Sequence, residues 1–309
     1  MKLGLQIRSF TWPGDAEAIG PTLTRIVRDA DEAGVDSLWV MDHFFQIRGV
    51  GVPEEPMLEG WTALGHMAAN TTRARLGLMV GGVHYRAPGL WVKAATTLDV
   101  LSGGRAWLGI GAGWNEDESR GLGFEFPSLG DRFELLEDAL QIAHAMWEGS
   151  AGSGGSFAGR QVQADRLLNS PQSLSRPRVP ILIGGGGERR TLRLVARYAD
   201  ATNVFGGPDE LRHKYAVLRR HCEEVGRPFD EIERTTLTSV TLSAGAAGNA
   251  PAEAPDEVVE RLGRLADAGA QHVIVGLTGV ADPDTLDRFL SRVLPQVHAI
   301  EIAAPSLAA

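Results

Sequence analysis

An acidic and an imidazole side chain stand side by side at Asp42 and His43, directly after the apolar residues 38–41. An imidazole can donate or accept a proton near neutral pH. The adjacent carboxylate can accept hydrogen bonds from the N–H groups of a ring. The pair therefore predicts His43 as the catalytic residue, either as a proton donor or as an orienting group. The alternative is a purely structural pair at the end of a strand.

Four consecutive glycines, residues 184–187, precede a predicted helix that carries Arg189, Arg190 and Arg193. A backbone without Cβ atoms lets a ligand approach closely, and the N–H groups at a helix N-terminus bind phosphate. The alternative is a flexible turn before a solvated basic helix face. The run lacks the lysine of an ATPase loop, and residues 109–113 read GxGxG rather than GxGxxG, so neither an ATPase nor a classical NAD-binding fold is indicated.

The remaining histidines and the single cysteine, Cys222, predict no metal site. His84 is a second candidate for chemistry, but we interpret it as a loop-packing residue. The others lack partners at metal-ligand spacing, and the chain contains neither HxH nor HExxH. We interpret them as surface or core residues: His66, His144, His213, His221, His272 and His298.

Short apolar runs alternate with amphipathic helical runs along the whole chain, which favours parallel strands joined by right-handed helical crossovers. Strands are predicted at 2–8, 36–42, 74–81, 105–112, 180–184, 200–204, 234–243 and 271–277. Helices are predicted near 21–34, 60–71, 88–102, 131–148, 187–198, 208–226, 255–268 and 284–295. Eight such units over 309 residues indicate an α/β protein, a single (β/α)₈ TIM barrel.

The regular alternation is interrupted once, at about 149–179, by a glycine- and serine-rich stretch that ends near Pro177. We interpret it as a partly hairpin insertion before strand 5 of one domain that spans residues 1–309. A second loose stretch, 244–255, follows the seventh strand. The unusual segments after strands 2 to 5 would meet at the C-terminal end of the barrel, where barrel enzymes bind their ligands.

The formal net charge is −9, with 43% apolar and 22% charged residues. This acidic balance argues against nucleic acid or an acidic membrane as a partner, because both require a basic face. No apolar run approaches the roughly 18 residues that span a bilayer, and no signal peptide precedes the first strand. We therefore expect a cytoplasmic protein with a reduced thiol at Cys222.

Five ordered motifs carry a resemblance to the bacterial luciferase-like monooxygenase superfamily, in its coenzyme F420-dependent oxidoreductase branch. They are LWVMDHF (38–44), ATTLDVLSGGR (95–105), LGIGAGW (108–114), PILIGGGG (180–187) and ARYAD (196–200). The resemblance covers almost the whole chain and implies the same barrel with an insertion. It also implies hydride transfer between F420 and an unidentified, fairly apolar small organic substrate, with a separate F420- or flavin-reducing enzyme as a partner and a homodimer as the assembly.

The resemblance further implies the positions that hold the cofactor. A cis peptide bond between Met79 and Val80 would support the deazaflavin ring, with Asp42 near the ring and His43 beside its reacting face. The complete cofactor-binding set that we predict is Asp42, Met79, Val80, Gly81, Gly82, Ala112, Gly113, Gly185, Gly186, Gly187 and Glu188. The last four, with Ala112 and Gly113, would hold the phosphate end.

Departures from the pattern bear on the substrate. A glutamate that acts as catalytic acid in the sugar-phosphate dehydrogenases of the branch would fall at Trp114, and their phosphate-binding lysines have no counterparts. The pocket is expected to be apolar, lined by Phe10, Trp12, Phe44, Phe45 and Trp114. Two alternatives stay open: an FMN-dependent two-component monooxygenase that uses O₂, and a flavin-binding protein without catalysis.

Overall fold

Eight parallel strands close into a barrel in the computed structural model, which describes residues 1–148, 154–243 and 252–302. The strands are β1 (Lys2–Ile7), β2 (Ser37–Val40), β3 (Arg75–Leu78), β4 (Ala106–Gly111), β5 (Ile181–Gly184), β6 (Ala201–Val204), β7 (Glu233–Val240) and β8 (His272–Leu277). Their order is β3-β2-β1-β8-β7-β6-β5-β4, and pairing of β3 with β4 closes the ring. The predicted TIM barrel is confirmed.

The strands are buried on both faces, as parallel strands between a core and a layer of helices must be. Every residue of β2, β4 and β8 is buried. A separate inner cluster joins side chains from most of the strands: Trp39, Met79, Trp107, Leu182, Ala201 and Ile274. Val80 and Leu237 pack on this cluster and also line a pocket at the C-terminal ends of the strands. The filled barrel interior is therefore the floor of that pocket.

Ten α-helices surround the strands in the described ranges. They are α1 (Ala16–Ala33), α2 (Gly60–Ala69), α3 (Pro88–Leu101), α4 (Glu116–Gly121), α5 (Leu129–Glu148), α6 (Thr191–Tyr198), α7 (Pro208–Val225), α8 (Pro255–Asp267), α9 (Pro283–Arg288) and α10 (Leu294–His298). In α1 the buried stripe is Leu23, Ile26, Val27 and Ala30, at helical spacing. None of the described helices is long and apolar enough to cross a bilayer.

Helix boundaries differ from the sequence-based ones in several places. α6 begins at Thr191 rather than at residue 187, and the predicted helix 284–295 is divided into α9, a π-helix at Phe289–Val293, and α10. α1 begins at Ala16 rather than at residue 21, with Pro21 inside the helix, because burial of its apolar stripe outweighs the hydrogen bond that the proline removes. α4 was not predicted at all. Its six residues are too few for a periodic pattern, and its first turn, Glu116, Asp117 and Glu118, resembles a solvated acidic loop.

The predicted insertion begins at residues 149–153, which lie outside the described ranges. Its described part contains the expected hairpin, in which Phe157–Ala158 pairs antiparallel with Gln163–Ala164. The Asp138 carboxylate of α5 accepts backbone N–H groups from Arg160, Gln161 and Val162 at 3.2, 2.7 and 3.0 Å. This fastens the hairpin turn to the barrel. Most of the second loose stretch, 244–251, is likewise undescribed. The division of residues 1–309 into one domain stays a prediction.

Candidate active site

A pocket with a volume of about 980 Å³ lies at the C-terminal ends of the strands. Its wall contains seven of the predicted cofactor-binding residues together with the predicted catalytic residue. These are His43, Met79, Val80, Gly81, Gly82, Ala112, Gly113 and Gly185. Residues that sequence analysis placed in separate loops after β2, β3, β4 and β5 thus meet around one cavity, as the shared strand polarity predicts.

The peptide bond between Met79 and Val80 is cis, as the resemblance implied. Gln6 of β1 donates its Nε2–H to the Met79 carbonyl at 3.3 Å and lines the same pocket. Val80 lies against the backbone of β4 and β5, where a Cβ at Gly184 would come within 2.7 Å of it and one at Gly111 within 3.2 Å. The glycines at these two positions therefore make room for Val80 in the pocket wall.

His43 is held by Glu118, which sequence analysis did not identify. The His43 Nδ1 lies 2.5 Å from Oε1 of Glu118. The second oxygen of Glu118 accepts the backbone N–H groups of Phe44 and Phe45 at 2.7 and 3.2 Å, and Tyr85 donates its hydroxyl to Oε1 at 2.5 Å. Glu118 is fully buried. Four donors thus converge on one carboxylate, which fixes the orientation of the imidazole.

The protonation state of Glu118 follows from the same contacts. Burial alone would raise the pKa of its carboxyl, but the hydrogen bonds from His43 and Tyr85 and the charge of His43 hold the pKa below its usual value. An ionised carboxylate only accepts hydrogen bonds, so Nδ1 of His43 carries the proton toward Glu118. Nε2 is then the ring nitrogen left for a ligand in the pocket.

Asp42 lies behind the pocket wall rather than in it. Only 2% of the residue is exposed, and Arg86 binds both carboxylate oxygens at 2.7 and 2.8 Å. Arg86 also binds Glu59 at 2.6 Å. Burial raises the pKa of Asp42 to about 6 even though Arg86 lowers it. The contact between Asp42 and a cofactor stays a prediction. In the structure, the carboxylate of Asp42 binds Arg86.

The glycine run supplies free backbone donors in the turn that precedes α6, which begins at Thr191 rather than at residue 187 as predicted. Within the described chain, the N–H groups of Gly186, Gly187 and Glu188 donate to no protein acceptor, whereas Gly185 donates to Asn203. These N–H groups fit the predicted phosphate site. Gly186, Gly187 and Glu188 do not line the pocket itself. The Glu188 side chain, half-exposed, binds Lys214 at 2.8 Å and His213 at 2.9 Å.

His84 packs behind Gly113, as the loop-packing interpretation expected. A Cβ at Gly113, whose φ is +76°, would lie 2.5 Å from the imidazole. Nε2 of His84 lies 2.9 Å from the Ser119 hydroxyl, and Nδ1 is buried without a partner in the described residues. Burial, followed by the charge of Arg132, lowers the pKa of His84 to about 4. The ring is therefore neutral at physiological pH.

Asn203, at the end of β6, is a further site residue that sequence analysis missed. It is 1% exposed and lines the pocket, and neither its Nδ2 nor its Oδ1 has a hydrogen-bond partner among the described residues. A buried amide without partners is costly, so this side chain indicates a ligand with both a donor and an acceptor. No sequence pattern marks it, because Asn203 stands inside an ordinary strand.

The expected aromatic wall is reduced to one of its five residues. Trp114 lines the pocket, and its ring centroid lies 5.4 Å from that of His43. Phe10 is buried and packs edge-on against Trp12, while Phe44 packs against Tyr85. The expectation that Phe10, Trp12, Phe44 and Phe45 line the pocket is therefore wrong, because none of them is among the lining residues. Polar side chains occupy more of the wall than predicted: Gln6, Arg8, Asn203, Thr238 and Ser239.

Residues 1–254 match the family model described as luciferase-like monooxygenase. The chain belongs to this family. It is 31% identical over 242 residues to the F420-dependent glucose-6-phosphate dehydrogenase of Nakamurella multipartita, covering 76% of this chain and 67% of the relative. The family thus confirms the resemblance on which the cofactor positions were predicted.

Solved structures show the same fold at low sequence identity. An F420-dependent secondary alcohol dehydrogenase in complex with an F420-acetone adduct superposes with a TM-score of 0.79 at 18% identity, covering 96% of this chain and 99% of the other. The EDTA monooxygenase of Chelativorans sp. BNC1 superposes with a TM-score of 0.81 at 16% identity, covering 100% and 96%. F420 enzymes and monooxygenases therefore share this barrel, and the fold alone does not separate them.

Proposed function

We propose that the protein is an F420-dependent oxidoreductase that transfers a hydride between the deazaflavin and an organic substrate. The observation that carries the proposal is the placement of His43, whose Nδ1 is held by Glu118 while its ring lines the pocket beside Met79 and Val80. The name of the Nakamurella relative and the F420-acetone adduct of the structural neighbour support the choice of cofactor.

The residues present fit this cofactor. The partnerless amide of Asn203 offers a donor and an acceptor to a ring that carries both. Val80, set between the bare backbones of Gly111 and Gly184, offers an apolar support for a flat ring. The free N–H groups of Gly186, Gly187 and Glu188 offer donors to a phosphate. When bound, F420 supplies or accepts the hydride.

The protein's own part in the reaction is proton transfer at the substrate oxygen. Nε2 of His43 protonates a carbonyl oxygen as the carbonyl is reduced, or takes the proton of a hydroxyl that is being oxidised. The ionised Glu118 keeps the Nδ1–H in place and stabilises the imidazolium when both nitrogens are protonated. His43 is thus the catalytic residue, and Glu118 positions it.

Glucose 6-phosphate is a poor candidate for the substrate. Trp114, which stands where sugar-phosphate dehydrogenases of the branch are expected to carry a catalytic glutamate, lies beside His43 in the pocket wall. An indole cannot supply a proton as a carboxylic acid does. We therefore expect a different carbonyl or alcohol substrate.

Further properties belong to this proposal on the strength of the family resemblance. We expect a homodimer in the cytoplasm and a separate enzyme that renews the reduced or oxidised deazaflavin. In the described residues no group of three or more His, Cys, Asp or Glu side chains could hold a metal ion. The proposed reaction needs no metal ion, because His43 donates or accepts the proton.

The cofactor choice is tested by titrating the purified protein separately with F420 and with FMN while tryptophan fluorescence is recorded. We expect saturable quenching by F420 at micromolar concentration, since Trp114 lines the pocket. In the Gly184→Val variant, which places a side chain against Val80, the affinity for F420 should fall. Gly89→Val is the matched control, because a Cβ there meets nothing within 4 Å. Micromolar binding of FMN without binding of F420 would favour the monooxygenase alternative.

A further inference from the structure

Arg8, directly after β1, lines the pocket with an unusual set of partners. Its Nη1–H donates to the Ser239 hydroxyl at 2.5 Å, and its Nη2–H donates to the Thr278 hydroxyl at 3.4 Å. The side chain crosses Gly276 of β8, where a Cβ would lie 3.1 Å from Nε. A glycine at this position therefore lets the guanidinium lie flat against the ends of β7 and β8.

Arg8 makes no ion pair in the described chain. The other arginines of the wall each have a carboxylate: Arg261 binds Glu253 at 2.7 Å, and Arg264 binds Glu260 at 2.7 Å. The undescribed internal residues, 149–153 and 244–251, contain no Asp or Glu that could serve Arg8. Burial lowers the pKa of the Arg8 guanidinium. A half-buried cation with only neutral partners is costly unless a ligand supplies the anion.

The position of Arg8 separates it from the cofactor side of the pocket. The cis peptide and the glycine run follow β3 and β5, whereas Arg8 lies where β1, β8 and β7 are neighbours. His43 follows β2, which pairs with β1. A ligand that reaches both Arg8 and His43 therefore occupies the side of the pocket left for the substrate. Ile47 and Val50 are among the apolar residues that line the pocket.

We propose that Arg8 binds a carboxylate of the substrate, so that the substrate class is an oxo acid or a hydroxy acid with an apolar chain. This inference rests on the proposed function and names its substrate. One unpaired guanidinium matches one negative charge, and its planar fork suits a carboxylate. A phosphate dianion would need a second free cation, and Arg261 and Arg264 are already paired. The expectation of a fairly apolar substrate is thereby narrowed to one that also carries a carboxylate.

The test compares levulinate with levulinamide, which has nearly the same shape but replaces the carboxylate by a neutral amide. Binding to the full-length protein is measured by calorimetry, both with and without F420. A charge-assisted pair predicts that levulinate binds about ten- to a hundredfold more tightly than levulinamide. In Arg8→Gln this preference should vanish while the affinity for F420 is unchanged. Arg8→Lys should keep part of the preference, because it retains the charge and loses the fork.

Arg48→Gln is the matched control. It removes an exposed arginine next to Ile47 and changes the net charge by the same amount as Arg8→Gln. The control should keep the full preference for levulinate. Equal affinities for the acid and the amide in the native protein would overturn the proposal, and so would a preference that survives in Arg8→Gln. A preserved preference for levulinate in a protein that does not bind F420 would overturn the proposed function and leave the role of Arg8 standing.

Discussion

Replacing His43 by glutamine should lower kcat by about 10²- to 10⁴-fold, the usual contribution of a general acid–base group. The dissociation constant of F420 should stay unchanged, because the ring of His43 faces the substrate oxygen in the proposed reaction. Glutamine keeps a hydrogen-bonding side chain next to Glu118 but cannot carry a proton between bound groups. The measurement is steady-state turnover together with a fluorescence titration of the cofactor.

The matched control for this variant is His66→Gln. His66 lies on the outside of the barrel in α2, where its Nε2 lies 2.8 Å from the Thr24 hydroxyl. Turnover should therefore be unaffected in the control. Unchanged turnover in His43→Gln would remove His43 from the catalytic role. A loss of turnover accompanied by an equal loss of F420 affinity would make it a binding residue instead.

Replacing Arg86 by methionine should lower the free energy of unfolding by about 3–5 kcal/mol at pH 8, because the change leaves a buried carboxylate without its cation. Both oxygens of Asp42 bind Arg86, and the guanidinium also stacks over Trp91 with 4.7 Å to the ring centroid. Urea unfolding of the variant and the native protein gives the difference. Arg120→Met, which breaks an exposed pair with Glu116, is the control and should cost less than about 1 kcal/mol.

The pH dependence of that loss has a definite sign. The pKa of Asp42 in the native fold is raised to about 6, above its value in an unfolded chain. Its contribution to stability is therefore fully present at low pH and is lost as the pH rises through 6. Without Arg86 the folded pKa rises further, so Arg86→Met should lose less stability at pH 5 than at pH 8. Adding Asp42→Asn should recover part of the loss at pH 8, and no recovery would contradict the account.

The barrel and part of the site were predictable because their causes are local in sequence. Apolar runs alternating with amphipathic helices specify β1 to β8. The adjacency of Asp42 and His43 and the glycines at 184–187 are visible without any fold. Shared strand polarity then brings these segments to one end of the barrel.

The residues that complete the site were not predictable, because their roles depend on distant contacts. Glu118 meets His43 from 75 positions away along the chain, out of a helix too short to predict. Arg86, which binds the carboxylate of Asp42, is 44 positions away from it along the chain. Arg8 stands out only because no carboxylate of the described residues pairs with it, and a sequence does not show which side chains pair. Partner choice of this kind is set by the closed barrel and not by spacing.

The most direct measurement is the anaerobic oxidation of reduced F420 in the presence of a carbonyl compound, followed by the recovery of the deazaflavin absorbance. Acetone and levulinate serve as the first acceptors, with a wider set of aldehydes and ketones after them. We predict that the deazaflavin is oxidised without O₂, that an equal amount of alcohol is formed, and that His43→Gln slows both by about 10²- to 10⁴-fold. Oxygen insertion that requires O₂ and reduced FMN, with no oxidation of reduced F420 by any acceptor, would contradict it.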